Sequence, residues 1–316
     1  MRPEIYLALF FAALLPARAQ DVLRVGLFPN VTHAQGLVAA NMSREGKGWF
    51  EPRVGVSKIE WFAYNAGPSA MEGLFTKAVD FTYVGPSPVV NAYARANKKV
   101  VRVIAGAMRG GSALIVRGDA IQKPDDLRDQ VIATPQLGNT QDIECRAWLI
   151  EHGFKVTLVG GDARVIPTAN PDILALFQQD KLNAAWTVEP WVSRLIREGG
   201  GRIFYEEKDP LTTVLTARQD LVDNHRELVE KFTAAHRELT QWIIDHPEEA
   251  QKRVCDEITA ISRKEIPLDL ITEAWTRLRP DATITVEPFE IFLDQARLVG
   301  FLRAQVDLSQ LIVPLP

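Results

Sequence analysis

Thr134-Pro135-Gln136-Leu137-Gly138-Asn139-Thr140-Gln141-Asp142 is the stretch that decides the fold of this 316-residue chain. It follows a short apolar run, Gln130–Thr134, that predicts a strand, and it leads into a helical pattern over Gln141–His152. A loop so rich in Pro, Gly, Asn and Thr predicts a helix start. Such a start leaves backbone N–H groups unpaired at the positive end of the helix dipole. An anion can bind there without a lysine or a catalytic residue.

Three similar clusters occur earlier in the chain, each between an apolar run and a helical pattern. They are Phe28-Pro29-Asn30-Val31-Thr32-His33, Asn65-Ala66-Gly67-Pro68-Ser69 and Gly85-Pro86-Ser87-Pro88. Their hydroxyl and amide groups can donate hydrogen bonds to an anion. For any single Ser or Thr, an ordinary helix cap is the competing interpretation. Four such loops at one sheet edge favour a protein that holds a small ligand.

Short β-rich runs alternate with helical stretches from Val22 to Asp209. A first set predicts one sheet: Leu23–Phe28, Lys58–Ala63, Asp80–Val84 and Val100–Ala105. A second set predicts another: Gln130–Thr134, Arg164–Pro167, Ala184–Val188 and Gly201–Glu206. Alternation of this kind predicts an α/β fold with mainly parallel sheets, helices on both faces and strand-to-helix turns along one edge.

Two further β-rich runs, Ser112–Arg117 and Thr212–Arg218, bracket the second set. Both end in Arg, and we expect them to pair with each other and to form the hinge. This arrangement predicts lobe I from residues 20–111 and 212–316, and lobe II from residues 112–211. Two crossover segments would join the lobes. After Arg218 the pattern is helical and returns the chain to lobe I.

The first 19 residues are typical of an export signal. Arg2 supplies a positive start, Ile5 to Leu15 an apolar segment, and Ala17-Arg18-Ala19 the small residues of a cleavage site. We therefore expect a periplasmic protein cleaved after Ala19. The formal net charge of −4 gives no reason to expect a nucleic-acid partner. Cys145 and Cys255 are expected to be buried free thiols, and no metal site is predicted.

Several motifs, taken in chain order, resemble the periplasmic binding proteins of ABC importers for sulfonate, nitrate and taurine. They are Gly67-Pro68-Ser69, Gly85-Pro86-Ser87-Pro88, Ala133 to Asp142 and Glu189-Pro190-Trp191. The resemblance implies a bilobal type II periplasmic-binding-protein fold with two α/β lobes and a ligand between them. It also implies a monomer that delivers its ligand to an ABC permease in the inner membrane. The same superfamily includes binders of thiamine-precursor pyrimidines, so the ligand stays open.

The predicted ligand contacts come from the four loops, from the expected crossover and from strand ends. An aliphatic sulfonate or taurine is the preferred ligand, with nitrate or a thiamine-precursor-like heterocycle as alternatives. The predicted residues are Phe28, Asn30, Thr32, His33, Asn65, Gly67, Ser69, Gly85, Ser87, Arg109, Gly111, Gln136, Gly138, Asn139, Thr140, Trp186 and Glu189.

Two charged residues in this set have competing interpretations. Arg109 would give a bidentate contact to an oxyanion, or else be a solvated loop residue. Glu189 would repel an anion unless it were paired. It would either form a scaffold ion pair with Arg194 or Arg109, or meet the ammonium group of a zwitterionic ligand. The scaffold interpretation is favoured.

An enzyme on the same fold is the rival class. The chain contains no G-x-S-x-G, H-E-x-x-H or Walker sequence. It also has no segment like the Cys-rich one of the fungal pyrimidine-precursor synthases that share this fold. We therefore expect a binding protein without a cofactor. A sensor domain that passes ligand information to a receptor would use the same cleft.

Overall fold

The computed structural model describes residues 21–96, 100–303 and 305–315. The predicted export signal, residues 1–19, lies outside this described part. Eleven strands occur in the described part: β1 (Val22–Leu27), β2 (Lys58–Ala63), β3 (Phe81–Val84), β4 (Val101–Gly110), β5 (Ser112–Arg117), β6 (Val131–Thr134), β7 (Arg164–Pro167), β8 (Ala184–Val188), β9 (Gly201–Glu206), β10 (Leu211–Arg218) and β11 (Leu278–Pro280).

Twelve α-helices accompany these strands within the same described residues. They are α1 (Ala34–Arg44), α2 (Glu51–Val54), α3 (Gly67–Phe75), α4 (Pro86–Arg95), α5 (Thr140–Glu151), α6 (Asn170–Gln178), α7 (Trp191–Gly199), α8 (Gln219–Asn224), α9 (Arg226–Asp245), α10 (Pro247–Ser262), α11 (Leu268–Trp275) and α12 (Glu287–Leu298). Two short 3-10 helices cover Val31–His33 and Pro124–Leu127.

The strands form two separate sheets, and these define the two lobes. The lobe I sheet has the order β11-β4-β10-β3-β1-β2, and the lobe II sheet has the order β7-β6-β8-β5-β9. Strand β1 runs parallel to β2 and β3, and β6 runs parallel to β7 and β8. The predicted α/β bilobal fold is confirmed. The expectation of mainly parallel sheets is wrong, because β4, β5 and β10 run antiparallel to their neighbours and so make five of the nine described strand pairs antiparallel. Every strand expected from the sequence is present, with ends shifted by a few residues.

The expected pairing of Ser112–Arg117 with Thr212–Arg218 is wrong. The first run is β5 and lies between β8 and β9 of lobe II. The second belongs to β10, which lies between β3 and β4 of lobe I. Composition reveals that both runs are β-rich, but it does not specify their partners. The chain changes sheet at Gly111, which has a φ of +75°, and again between β9 and β10.

Helices cover both faces of each sheet and bury apolar cores. In lobe I, Phe232 of α9 stacks between Phe50 and Phe81, with ring centroids 4.2 and 4.1 Å apart. The two cysteines are buried free thiols, with Cys145 on α5 of lobe II and Cys255 on α10 of lobe I. Packed layers of this kind hold the strand ends, and the loops that follow them, in fixed positions.

A buried carboxyl lies beside the first sheet crossing. Glu144 of α5 is buried and accepts a hydrogen bond from the Ser112 hydroxyl at 3.1 Å. The same hydroxyl accepts one from the Trp186 indole N–H at 3.0 Å. The other carboxyl oxygen of Glu144, Oε1, has no hydrogen-bond partner among the described residues. Burial, and secondly the charge of Glu207, raise the pKa of Glu144 well above its ordinary value.

We expect the stability of the protein to fall as pH rises from about 4.5 through the folded-state pKa of Glu144. The folded protein holds this proton more tightly than the unfolded chain, so the stabilisation is complete below the unfolded pKa and lost above the folded one. Between the two pKa values, the unfolding free energy should fall by up to about 1.4 kcal/mol per pH unit. Unfolding free energies measured by urea denaturation between pH 5 and pH 8 should depend less on pH in Glu144→Gln than in the wild type. Glu248→Gln, at an exposed position on α10, is the control and should leave it unchanged.

Candidate functional site

A polar cavity of about 30 Å³ lies between the lobes, where the strands of both sheets lead into helices. Its walls come from both lobes. The lining residues of lobe I are Phe28, Asn30, Thr32, His33, Asn65, Ala66, Gly67, Gly85, Pro88 and Thr212. Those of lobe II are Pro135, Asn139, Thr140, Gln141, Asn170 and Val188.

Five helix N-termini meet at this cavity. The starts of α1, α3 and α4 belong to lobe I, and those of α5 and α6 belong to lobe II. The 3-10 turn Val31–His33 leads into α1, and Thr140 and Asn170 are the first residues of their helices. Each helix directs unpaired N–H groups and the positive end of its dipole toward its start. Their convergence favours negative charge in the cavity.

The polar side chains around the cavity are uncharged at neutral pH. Among the residues that the structure describes, no Asp, Glu, Lys or Arg lines it. Amides and hydroxyls provide the polar surface: Asn30, Thr32, Asn65, Asn139, Thr140, Gln141, Asn170 and Thr212. These groups donate hydrogen bonds without bringing a counter-charge. An oxyanion would therefore be held by neutral donors and helix dipoles.

His33 also lines the cavity as a neutral side chain. It is buried, and its Nδ1 accepts a hydrogen bond from the Phe28 backbone N–H at 3.3 Å. Burial lowers the pKa of His33 to about 3, so the ring is uncharged near neutral pH. Because Nδ1 is an acceptor, the proton resides on Nε2. The ring also packs against Phe28, with centroids 4.2 Å apart, which fixes its orientation.

The lobe II loop of residues 134–142 is held rigid by the Asp142 side chain. The buried Asp142 carboxylate accepts hydrogen bonds from the Thr134 hydroxyl at 2.9 Å and the Gly138 N–H at 2.9 Å. It also pairs with the buried Arg146 at 3.1 Å. In return, the Asn139 side chain caps α5 by accepting from the Asp142 N–H at 2.9 Å. Several anchors within nine residues make the loop preformed rather than adaptable.

Thr140 lies at the end of this rigid loop with an unused hydroxyl. Its Oγ1 is buried and has no hydrogen-bond partner among the described residues. Buried hydroxyls are nearly always paired, so an unpaired one at a cavity indicates a missing partner. Gly85 of lobe I faces it closely, since a Cβ on Gly85 would be only 2.2 Å from this oxygen. The two lobes therefore approach each other at the cavity without room for an added methyl group.

Direct contacts between the lobes surround the cavity. The Trp191 indole N–H donates to Asn30 Oδ1 at 3.0 Å, and the Val31 N–H donates to the Glu189 carbonyl oxygen at 3.0 Å. On another side, the Ser69 hydroxyl and the Gln136 side-chain amide are hydrogen-bonded at 3.2 Å. These bonds join lobe I to lobe II, so the structure is a closed conformation.

Glu189 forms a scaffold contact rather than part of the cavity wall. Its carboxylate is fully buried and accepts from the Ser193 N–H at 3.1 Å, the Ser193 hydroxyl at 3.0 Å and Arg277 Nη1 at 3.0 Å. Burial raises the pKa of Glu189, and the Ser193 and Arg277 contacts oppose that shift. Arg277 belongs to lobe I, so this ion pair also joins the lobes. The partners expected from the sequence, Arg194 and Arg109, were wrong.

The structure brings about half of the predicted contact residues to the cavity. Those that line it are Phe28, Asn30, Thr32, His33, Asn65, Gly67, Gly85, Asn139 and Thr140. The predicted residues that lie outside its wall are Ser69, Ser87, Arg109, Gly111, Gln136, Gly138, Trp186 and Glu189.

Arg109 and Trp186 are the clearest corrections. The Arg109 guanidinium pairs with Asp281 at 3.2 Å and also donates to the Asp209 carbonyl oxygen, because β4 pairs with β11 at that point. Trp186 points into the core of lobe II, where its ring centroid lies 6.3 Å from that of Trp148. Neither side chain is available to a ligand in the cavity. Ser87 is also engaged elsewhere, accepting a hydrogen bond from the Asn91 amide at 3.4 Å.

Sequence reasoning missed several lining residues, of which Asn170 and Thr212 are the most informative. Asn170-Pro171 follows β7 and begins α6, so it repeats the pattern of the four recognised loops. That signal was available in the sequence. Thr212 was assigned to a hinge instead of a site. Its hydroxyl donates to the Met108 carbonyl oxygen at 3.1 Å, which no local pattern predicts.

Two α/β lobes closed over a neutral, polar cavity define a ligand-binding protein of the bilobal class. The chain belongs to the NMT1-like family, whose model matches residues 17–259. Two curated relatives are each named putative aliphatic sulfonates-binding protein. That of Bacillus subtilis (strain 168) is 25% identical over 212 residues, and that of Escherichia coli (strain K12) is 27% identical over 161 residues.

The matched regions cover 65% and 50% of this chain, and they span only 62% and 49% of those two relatives. Solved structures show the same fold over more of the chain. The alkanesulfonate-binding protein SsuA from Xanthomonas axonopodis pv. citri, bound to MOPS, has a TM-score of 0.77 at 17% identity. That likeness covers 93% of this chain and 98% of SsuA.

The periplasmic nitrate-binding protein NrtA from Synechocystis PCC 6803 has a TM-score of 0.71 at 15% identity, covering 90% of this chain and 83% of NrtA. At such identities these likenesses concern the fold alone. The expected relationship to ABC-importer binding proteins is confirmed. Within the described residues, no helix combines the length and apolar character needed to cross a membrane.

Proposed function

We propose that this protein is an exported solute-binding protein that captures a small organic oxyanion between its lobes. The preferred ligand is an aliphatic sulfonate or taurine, delivered by a monomer in the periplasm to an ABC permease in the inner membrane. The observation that carries the proposal is the convergence of five helix N-termini on a cavity that, in the described part of the chain, no charged side chain lines. The names of the relatives, all binding proteins, support a carrier rather than an enzyme.

Capture would proceed by closure of the lobes. Three helix starts lie on lobe I and two on lobe II, so only the closed state surrounds the anion. A ligand that contacts both lobes binds the closed state more tightly than the open state and shifts the population toward it. The inter-lobe hydrogen bonds of Asn30 and Ser69 would then form together with the ligand contacts.

Nitrate is the second candidate, because one solved structure of the same fold is a periplasmic nitrate-binding protein. Calorimetric titration with methanesulfonate, taurine, nitrate and a pyrimidine would separate these possibilities. Saturable binding of a sulfonate supports the proposal. If only nitrate binds, the organic part of the assignment is wrong, and if none of the four binds, the whole assignment is wrong.

Replacing the Thr140 hydroxyl tests whether the rigid loop contacts the ligand. Thr140→Val keeps the shape of the side chain and removes one donor, so we expect methanesulfonate to bind about 10- to 100-fold more weakly. Thr213→Val is the matched control, since the Thr213 hydroxyl is also buried without a partner in the described part but does not line the cavity. Equal affinities for both variants would exclude Thr140 from the site.

A further inference from the structure

Three amide side chains in the wall of the polar cavity each have their oxygen engaged by another part of the protein. They are Asn30 in lobe I and Gln141 and Asn170 in lobe II, and each of these residues is at most 6% exposed. Among the described residues, no hydrogen bond uses the side-chain nitrogen of any of the three. The polar groups of buried side chains are nearly always paired. At a cavity wall, the missing partner of these nitrogens points to a ligand.

The amide of Asn30 is oriented by Trp191 of the opposite lobe. The Trp191 indole N–H donates to Asn30 Oδ1 at 3.0 Å. An indole N–H can only donate, so it has to meet the oxygen of the amide and not its nitrogen. The nitrogen, at the other end of the amide, is left to face the cavity.

A chain of hydrogen bonds orients Gln141. The backbone N–H of Asp142 donates to Asn139 Oδ1 at 2.9 Å, which fixes the orientation of the Asn139 amide. Asn139 Nδ2 in turn donates to Gln141 Oε1 at 3.1 Å. A backbone N–H cannot accept, so neither amide can rotate by half a turn without losing its partner. The Gln141 nitrogen is therefore free to donate to a ligand.

Thr187 holds the third amide. Its hydroxyl donates to Asn170 Oδ1 at 2.6 Å, and Thr187 is fully buried on β8. A distance this short is typical of O–H···O and lies below the usual range for N–H···O. In the reversed amide, the Thr187 proton would also lose its only acceptor among the described residues. The oxygen of Asn170 therefore faces Thr187, and its nitrogen faces the cavity.

The three amides can donate to a ligand, but in these orientations they cannot accept from it. Every ligand atom that faces them must carry a lone pair, as the oxygens of a sulfonate or of nitrate do. An acidic hydroxyl in the same place would set one donor against another and lose its hydrogen bond. The hydroxyls of Thr32, Thr140 and Thr212 can still accept, so a hydroxylated anion binds more weakly but is not excluded.

We propose that Trp191, Asn139 and Thr187 are positioning residues, which hold the three amides with their nitrogens toward the ligand and make the site selective for oxyanions without a hydroxyl group. Trp191 and Thr187 do not line the cavity and act only through the amides. This inference rests on the proposed function and adds a rule of selectivity to it. Two anions of the same shape and charge should bind differently if one of them carries a hydroxyl.

Calorimetric titration with methanesulfonate and methylphosphonate is the test, at about pH 5.5, where methylphosphonate keeps one proton and a single negative charge. His33, with a pKa of about 3, stays uncharged under these conditions. The wild type should bind methanesulfonate at least about tenfold more tightly, as expected when one hydrogen bond is lost at a buried site. Nitrate and hydrogen carbonate form the equivalent pair for the smaller candidate ligand.

Trp191→Phe removes the indole N–H and keeps an aromatic ring under the Arg194 guanidinium, which lies 4.9 Å from the Trp191 ring centroid. The Asn30 amide can then reverse, so the preference for methanesulfonate over methylphosphonate should fall at least about threefold. Ser69→Ala is the matched control, because it also removes a hydrogen bond between the lobes, but one that orients no amide of the wall. The control should weaken both ligands equally and leave their ratio unchanged.

Thr187→Val gives a second comparison if Trp191→Phe is unstable. It should lower the same ratio through Asn170, and Thr187→Ser, which keeps the hydroxyl, should restore it. A variant that only damages the fold would weaken both ligands together and would not move the ratio.

The outcomes separate the two proposals. Equal binding of both anions by the wild type would overturn the positioning inference and leave the proposed function in place. So would a ratio that neither Trp191→Phe nor Thr187→Val changes. Absence of binding for every member of both pairs would overturn the proposed function and this inference with it.

Discussion

Glu189→Leu is expected to weaken ligand binding by about 30-fold, although the Glu189 side chain does not line the cavity. The buried carboxylate joins lobe II to Arg277 of lobe I, and its loss leaves Arg277 and Ser193 without their partner in the closed state. Breaking a buried pair costs about 3–5 kcal/mol, and we discount this to about 2 kcal/mol because Arg277 is partly exposed. Arg277 lies on lobe I and is already partly exposed, so water can replace its partner in the open state and its share of the loss falls on closure.

Calorimetry with methanesulfonate measures this effect, and small-angle scattering reports whether the variant stays open. Glu198→Leu is the control, since Glu198 pairs with Arg194 within α7 and does not reach lobe I. The control should bind within about twofold of the wild type, as expected for a pair near the surface. If both variants bind equally well, the Glu189–Arg277 pair has no part in closure.

Gly138→Ala is expected to weaken binding by about 10- to 100-fold. Gly138 has a φ of +77°, and an added Cβ would lie 2.3 Å from Cζ of Phe301. Phe301 follows α12 and packs on a core to which α4 and α12 of lobe I and Ile143 and Ala147 of α5 contribute, and Gly138 belongs to the rigid loop of lobe II. The clash therefore lies at the contact between the two lobes, and overpacking of this size costs about 1–3 kcal/mol.

Gly153→Ala separates this clash from backbone strain. Gly153 also has a positive φ, of +82°, but an added Cβ there would meet nothing within 4 Å. Both variants should lose about 1 kcal/mol of unfolding free energy in urea, since both force alanine into a left-handed conformation. Only Gly138→Ala should lose affinity in titrations with methanesulfonate. A similar loss of affinity in Gly153→Ala would assign the effect to strain instead.

The fold followed from local patterns. Turn and helix-cap residues occur within a few positions of each other in Gly67-Pro68 and in Pro135 to Asp142. The loops, and the alternation of strands and helices around them, could therefore be predicted from the sequence. The cavity residues on those loops, such as Asn30 and Thr140, were found for the same reason. Asn170 carries the same kind of signal, but its loop was not included among the four predicted ones.

Contacts between residues far apart in the chain could not be predicted from the sequence. Arg109 pairs with Asp281, 172 residues away, and Glu189 pairs with Arg277, 88 residues away. A single sequence records neither partner, because ion pairing depends on the assembled sheet edges rather than on neighbouring residues. For the same reason Ser112–Arg117 was recognised as a strand but given the wrong partner. Trp186 lies in the lobe II core. Side chains alternate between the two faces of a strand, but this alternation along β8 does not reveal whether the Trp186 face meets the core or the cavity.

The division of the helix starts, three on one lobe and two on the other, bears on how a ligand would leave. Among the residues that the structure describes, no lysine or arginine of either lobe lines the cavity, so no strong single contact has to be broken. Under the proposed function, parting the lobes would let water replace the protein around the oxyanion, one donor at a time. A permease that separates the lobes would then release the ligand because water hydrates it. The permease would not need to bind the ligand more tightly than this protein does.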